Sequence, residues 1–236
     1  MMAIEKWRAD AQKSAEDFMT LVLPYAKPLL GDVKVIPIEG AIFNGTPDAF
    51  DTLAGVDLWA VDEHGIFGVA SRVQPCNKPF DTFTIRRSRS SGAPTEYGKR
   101  LKAIESGYVY PEWTIQAYVS QDRKQLYSMA AVKTKELILY VMEALEAMKL
   151  QHQEIIDVSG HELPFSDVRS NKMAILYNNA DGNSFYAVRW KQLAAHGVDL
   201  YVRQNKIKQP TKTRDQALVK YVAELQGVKP SLRLRG

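Results

Sequence analysis

The run from Val56 to Gln74, VDLWAVDEHGIFGVASRVQ, constrains this chain more than any other stretch. Two segments rich in β-branched and aromatic residues flank Asp62-Glu63-His64-Gly65, a pattern that reads as a β-hairpin. Pairing Val61 with Ile66 across the turn sets the register. Antiparallel partners then put Asp57 opposite Ala70, and residues directly opposite share a face of the sheet. Asp57, Ala70 and Arg72 fall on one face, with Gln74 further along it. Val56, Leu58 and Ala60 meet Ser71, Val69 and Phe67 on the other face, which reads as core. An acid beside a guanidinium is either a structural ion pair or part of a site.

Elements of both kinds surround the hairpin. A helix is expected from about Asp10 to Leu30, with Phe18, Leu21, Val22 and Tyr25 on one face, Pro24 and Pro28 disturbing it and Gly31 ending it. Val33 to Ile38 reads as a strand, and Pro37, which cannot donate to a ladder, marks either an edge strand or the strand's end. After the hairpin come a strand over Phe80–Arg87, a turn over Ser90–Pro94 and a helix over Glu96–Glu105 capped by Thr95. Strands over Trp113–Ser120 and Leu126–Val132 precede a helix over Lys135–Leu150. A second hairpin, Met173–Tyr177 with Ser184–Trp190, leads to short helices near Lys191–His196 and Arg214–Gln226. This order predicts an α/β (α+β) domain, a mixed sheet flanked by helices, over residues 1–200, with a basic helical tail over 201–236.

Charge supports that division. The chain carries +4 overall. From Tyr201 onward nine basic residues, among them Lys206, Lys208, Lys212 and Arg214, face only Asp215 and Glu224. Such a tail suits sequence-independent contact with phosphates, or is simply solvated. The single cysteine, Cys76, excludes an internal disulfide and multi-thiolate zinc sites. No run approaches the roughly 18 apolar residues of a membrane span, and residues 1–17 lack the features of a secretion signal. The expected setting is the cytoplasm of a bacterium or of a phage-infected cell, without membrane contact. The four histidines show no ligand spacing, and no glycine-rich phosphate loop is present.

On these residues the first half of the chain, roughly Asp10 to Ser120, resembles the PD-(D/E)XK, or restriction-endonuclease-like, nuclease superfamily. The likeness rests on a leading helix with Glu16, the segment D-T-L-A-G-V-D at 51–57, the hairpin, the basic strand FTIRR and a helix opening T-E-Y-G-K. It implies a divalent cation, Mg²⁺ or Mn²⁺, held by Asp57 and a second acid, and hydrolysis of a DNA phosphodiester. The E-x-K slot falls on Ala70-Ser71-Arg72, where alanine binds no metal and arginine does not act as a base. Glu96 is the leading substitute carboxylate, with Lys99 supplying the ammonium; Glu16, Asp51 and Gln74 are the alternatives. Arg72 or Lys99 would stabilise transition-state charge. Arg86, Arg87 and Arg89 would hold the flanking backbone, and Trp59 would stack on an unpaired base. The competing expectation is a non-cutting relative that binds nucleic acid or serves as an assembly subunit, as a homodimer or with another protein.

Overall fold

A computed structural model describes residue 9 and residues 12–38, 42–43, 46–47, 55–159, 173–178 and 183–204. Residues 12–17 are helical and run into a π turn, Phe18–Val22, followed by α1, Leu23–Leu30. The Leu23 N–H reaches back to the Phe18 carbonyl, five residues away. That wide turn sits just ahead of Pro24, whose nitrogen has no proton to continue the regular ladder. Phe18, Val22, Ala26 and Leu30 are buried at intervals of four, so the interrupted helix still presents one apolar stripe. Gly31 ends it with φ +84°, a left-handed conformation suited to glycine.

The main sheet has six strands in the order β1 (Lys34–Pro37), β4 (Leu58–Asp62), β5 (Gly65–Cys76), β7 (Pro111–Ser120), β8 (Leu126–Lys133) and β11 (Leu200–Gln204). Only β5 and β7 run parallel. β2 (Ile42–Phe43) and β3 (Thr46–Pro47) form a small ribbon of their own. A second, three-stranded sheet is ordered β6 (Thr82–Ser88), β10 (Ser184–Arg189), β9 (Ile175–Asn178). The helices α2 (Glu96–Glu105), α3 (Thr134–Ser159) and α4 (Trp190–Ala195) complete the set. The architecture is therefore mixed α+β, as the element order implied.

Each face of the main sheet carries its own core. One packs Leu58, Val69, Val73, Ile115, Ala117, Val119 and Met129 against Phe18, Val22 and Ala26. The other packs Tyr118, Ala130 and Val132 against Phe83, Ile85, Tyr186 and Val188 of the second sheet and Leu137, Val141 and Leu193 of the helices. The alternation of β7 feeds both, odd residues one way and even residues the other.

Several expectations change here. The first hairpin pairs Val61 with Ile66, and the expected register holds as far as Leu58↔Val69. Val56 then leaves the ladder and packs with Ile38 and Ala103 instead of facing Ser71. β6 does not extend the main sheet; it pairs with β10, about a hundred residues later in sequence. Leu200–Gln204 adds an edge strand beside β8, so the main sheet continues past residue 200, where the tail was expected to begin. Residues 205–236 lie outside the described residues, and with them Lys206, Lys208, Lys212, Arg214 and the expected last helix. Among the described residues no helix is long and apolar enough to cross a membrane.

Candidate functional site

The site begins where β4 stops. β5 continues to Cys76, but its β4 partner ends at Leu58, so among the described residues the later half of β5 is paired on one side only, by β7. Asp57 sits at this notch. Its N–H donates to the Val69 carbonyl (3.0 Å), its carbonyl accepts from the Ile38 N–H (2.9 Å), and its Oδ2 accepts from the Ser71 N–H (2.7 Å). The carboxylate thus takes the place of the missing strand for one exposed backbone donor.

Beside the notch lies a cleft of about 330 Å³ lined by Asp57, Ala70, Ser71, Arg72, Thr84, Arg86, Arg89, Glu96, Arg100, Thr114 and Gln116 among others. Strands β5 and β7 supply one side of it. Strand β6 and helix α2 supply the other. Thr95 joins those two: its Oγ1 accepts from the Gly98 N–H at the start of α2 and donates to the Arg87 carbonyl at the end of β6 (3.2 Å). The cap therefore holds Glu96 over the β6 arginines. Glu96 Oε1 lies 3.9 Å from Arg86 Nη1 and 3.7 Å from Arg89 Nη2, ion-pair distances too long for hydrogen bonds.

Arg100 follows Glu96 by one helical turn and is only 6% exposed. Gly55, with φ +67°, passes close over it; a Cβ there would meet Arg100 Nε at 3.5 Å. Gln116, 2% exposed, is fixed by its Oε1, which accepts from the Thr84 N–H (3.3 Å) and the Thr84 hydroxyl (3.0 Å). That choice of orientation directs Gln116 Nε2 elsewhere. Gln116 Nε2, Arg100 Nε, Arg89 Nε and Glu96 Oε2 are all buried atoms with no hydrogen-bond partner. Four such groups bordering one cleft is a concentration that native interiors otherwise avoid.

Among the described residues lining the cleft, four guanidiniums face two carboxylates, a net charge of +2. Burial pulls the Arg72 pKa below the ordinary arginine value; Glu96 opposes that shift, while Arg86 and Arg100 add to it. The guanidinium stays protonated, so the shift measures how uncomfortable its charge is. Burial pushes the Glu96 carboxyl up, but Arg86, Arg100, the residue's own backbone N–H and Arg72 together outweigh it and hold the group below the usual carboxylate range. Tyr118, further along β7, is pushed up to about 12 by burial, so its hydroxyl is neutral and donates to the Thr82 carbonyl (3.0 Å).

The sequence-derived candidates divide accordingly. Asp57, Arg72, Arg86, Arg89 and Glu96 border one cleft. Lys99 and Arg87 do not; Arg87 is exposed and only its carbonyl serves the cleft wall. Gln74 lies beyond Arg72 on β5, with a buried Oε1 lacking a partner. Glu16 is exposed on the leading helix and accepts from Gln12 Nε2 (3.2 Å); Ser14 is the residue of that helix that reaches the cleft. Trp59 lines a separate groove with Phe67, Tyr108 and Tyr110. Asp51 lies outside the described residues. Arg100 and Gln116 are the additions. Both carried a signal: Arg100 shares a helix face with Glu96 and Ala103, and Gln116 alternates with apolar residues on a central strand.

No family model, no curated protein and no solved structure matches this chain.

Proposed function

We propose that this protein binds nucleic acid through the arginine cleft and does so without a metal ion. The observation that carries this reading is the cluster of buried, unpartnered donors, Arg100 Nε, Arg89 Nε and Gln116 Nε2, in a cleft of net charge +2. Donors in that state are satisfied by an anion with several acceptor oxygens, and phosphate is the anion whose geometry guanidinium forks match. Desolvated arginines lower their energy when a counter-charge arrives.

A divalent cation fits this donor set poorly. Among the described residues no three of His, Cys, Asp and Glu come together as a ligand group. Of the two carboxylates at the cleft, Asp57 already accepts from the Ser71 N–H and Glu96 lies between Arg86 and Arg89. Four guanidiniums around them repel a second cation. The resemblance to metal-dependent nucleases therefore supports the layout of the site more than its chemistry, and we derive no hydrolytic step.

Binding of a fluorescent DNA oligonucleotide, titrated against salt with Mg²⁺ or with a chelator, tests the reading. Expected are a log–log salt dependence of negative slope, equal affinity with and without metal, and intact DNA at the end. Arg100→Gln should weaken binding at least about tenfold, the worth of one charge-assisted hydrogen bond. Cleavage that requires Mg²⁺ and is lost in Asp57→Ala would restore the nuclease reading; salt-independent binding, or none, would sink both.

A further inference from the structure

We infer that the cleft takes the terminal phosphomonoester of a nucleic-acid chain in preference to an internal phosphodiester; the inference rests on the nucleic-acid reading above. Charge is the first ground. The described residues lining the cleft carry +2, while an internal diester brings one negative charge and a monoester about −1.5 to −2 near neutral pH. Only the dianionic form of the monoester neutralises that lining.

Oxygen count is the second. Unpartnered donors come from three places: Gln116 Nε2 on β7, Arg100 Nε on α2, and Arg89 Nε between β6 and α2. A monoester has three terminal oxygens to meet them. A diester has two, and its third and fourth oxygens continue the chain.

Glu96 is the third. Its Oε2 is buried and unpartnered, and its ionised carboxylate can only accept. The monoanionic form of a monoester has a P–O–H proton to give it; a diester has none. Either protonation form of the monoester thus supplies something the diester lacks, a second charge or a donor. The arginines draw in the phosphate, and Glu96 Oε2 offers an acceptor to a P–O–H that the diester does not have.

The test is a set of DNA oligonucleotides of one sequence: with a 5′-phosphate, with a 3′-phosphate, with hydroxyl ends, and with the terminal phosphate capped as its methyl ester. The full-length protein should bind at least one phosphorylated form about tenfold or more tighter than the hydroxyl form. The methyl ester, which keeps the phosphorus but loses a charge and the P–O–H, should bind like the hydroxyl form. Which end is preferred identifies the source. Arg100→Gln should erase the preference, with thermal unfolding monitored to establish that the variant folds. Arg100→Lys should retain part of it, and Lys124→Gln, on the distant β7–β8 turn, all of it. Equal affinity across the set overturns the inference and leaves nucleic-acid binding standing. A preference that survives in Arg100→Gln also overturns it, because the phosphate is then read elsewhere. Absence of salt-dependent binding to every oligonucleotide removes both readings.

Discussion

The two faces of strand β7 are built from alternate residues of one segment, and they obey different rules. Ile115, Ala117 and Val119 are at most 1% exposed and meet apolar neighbours beneath α1 and its leading turns. Thr114 and Gln116, their immediate neighbours, are also buried but border a cleft containing four arginines. The apolar face is satisfied by packing. On the polar face, buried donors and an acceptor are left without partners. The contrast teaches that burial alone says little about role; what a buried side chain touches, and whether its polar atoms are used, separates the scaffold from the site.

That contrast predicts opposite responses to substitution. Ile115→Ala removes packed methylenes from the apolar face and should cost about 2–5 kcal/mol in a denaturant titration, with oligonucleotide affinity of the folded protein unchanged. Arg100→Met should do the reverse. Relief of the buried guanidinium's desolvation offsets the support it gives the Glu96 carboxylate, so the stability change should be smaller than for Ile115→Ala, while binding falls. A loss of several kcal/mol in Arg100→Met would mean that the cleft is part of the scaffold after all.

A smaller effect sharpens the role of Asp57. Asp57→Ala leaves the Ser71 N–H without its acceptor and should cost about 1–3 kcal/mol, whereas Asp57→Asn keeps an oxygen there and should cost less than about 1 kcal/mol. If Asn is as damaging as Ala, the charge and not the hydrogen bond matters at the notch.

The smallest effect is in pH. Arg86, Arg100 and Arg72 hold the folded-state pKa of Glu96 below its ordinary value, although burial works against them. The unfolded chain therefore binds the proton more readily. The contribution is present above the ordinary carboxylate pKa and is lost as pH falls through the depressed folded value. Glu96→Gln should flatten that acid limb of the stability profile. An unchanged acid limb would show that the arginines do not stabilise the ionised form.

Much of the scaffold was legible because it is local. The turn Asp62–Gly65 fixed the hairpin register, and Asp62 Oδ1 accepts from the His64 N–H (2.8 Å) and the Gly65 N–H (2.9 Å), as a turn aspartate does. The Thr95 cap fixed the start of α2 at Glu96. The grouping of Asp57 with Arg72 was readable from alternation, and Glu96 was added to it by the resemblance. The pairing of β6 with β10 was not, because partners about a hundred residues apart leave no local mark. Lys99 was named and Arg100 was not, although three-residue and four-residue spacings from Glu96 both give neighbouring helix positions; only the packing of α2 shows which one is buried at the cleft. Leu200–Gln204 was hidden by the basic run after it; its strand character comes from pairing with β8.

The anchored amide of Gln116 has a kinetic consequence. With its oxygen committed to Thr84, the side chain cannot swing to meet a guest, so its rotational freedom is surrendered during folding and not at encounter. Its Nε2 is closed to solvent, so a guest reaches it only as neighbouring side chains draw back, while first approach should still follow long-range attraction by the surrounding guanidiniums and slow as ionic strength rises.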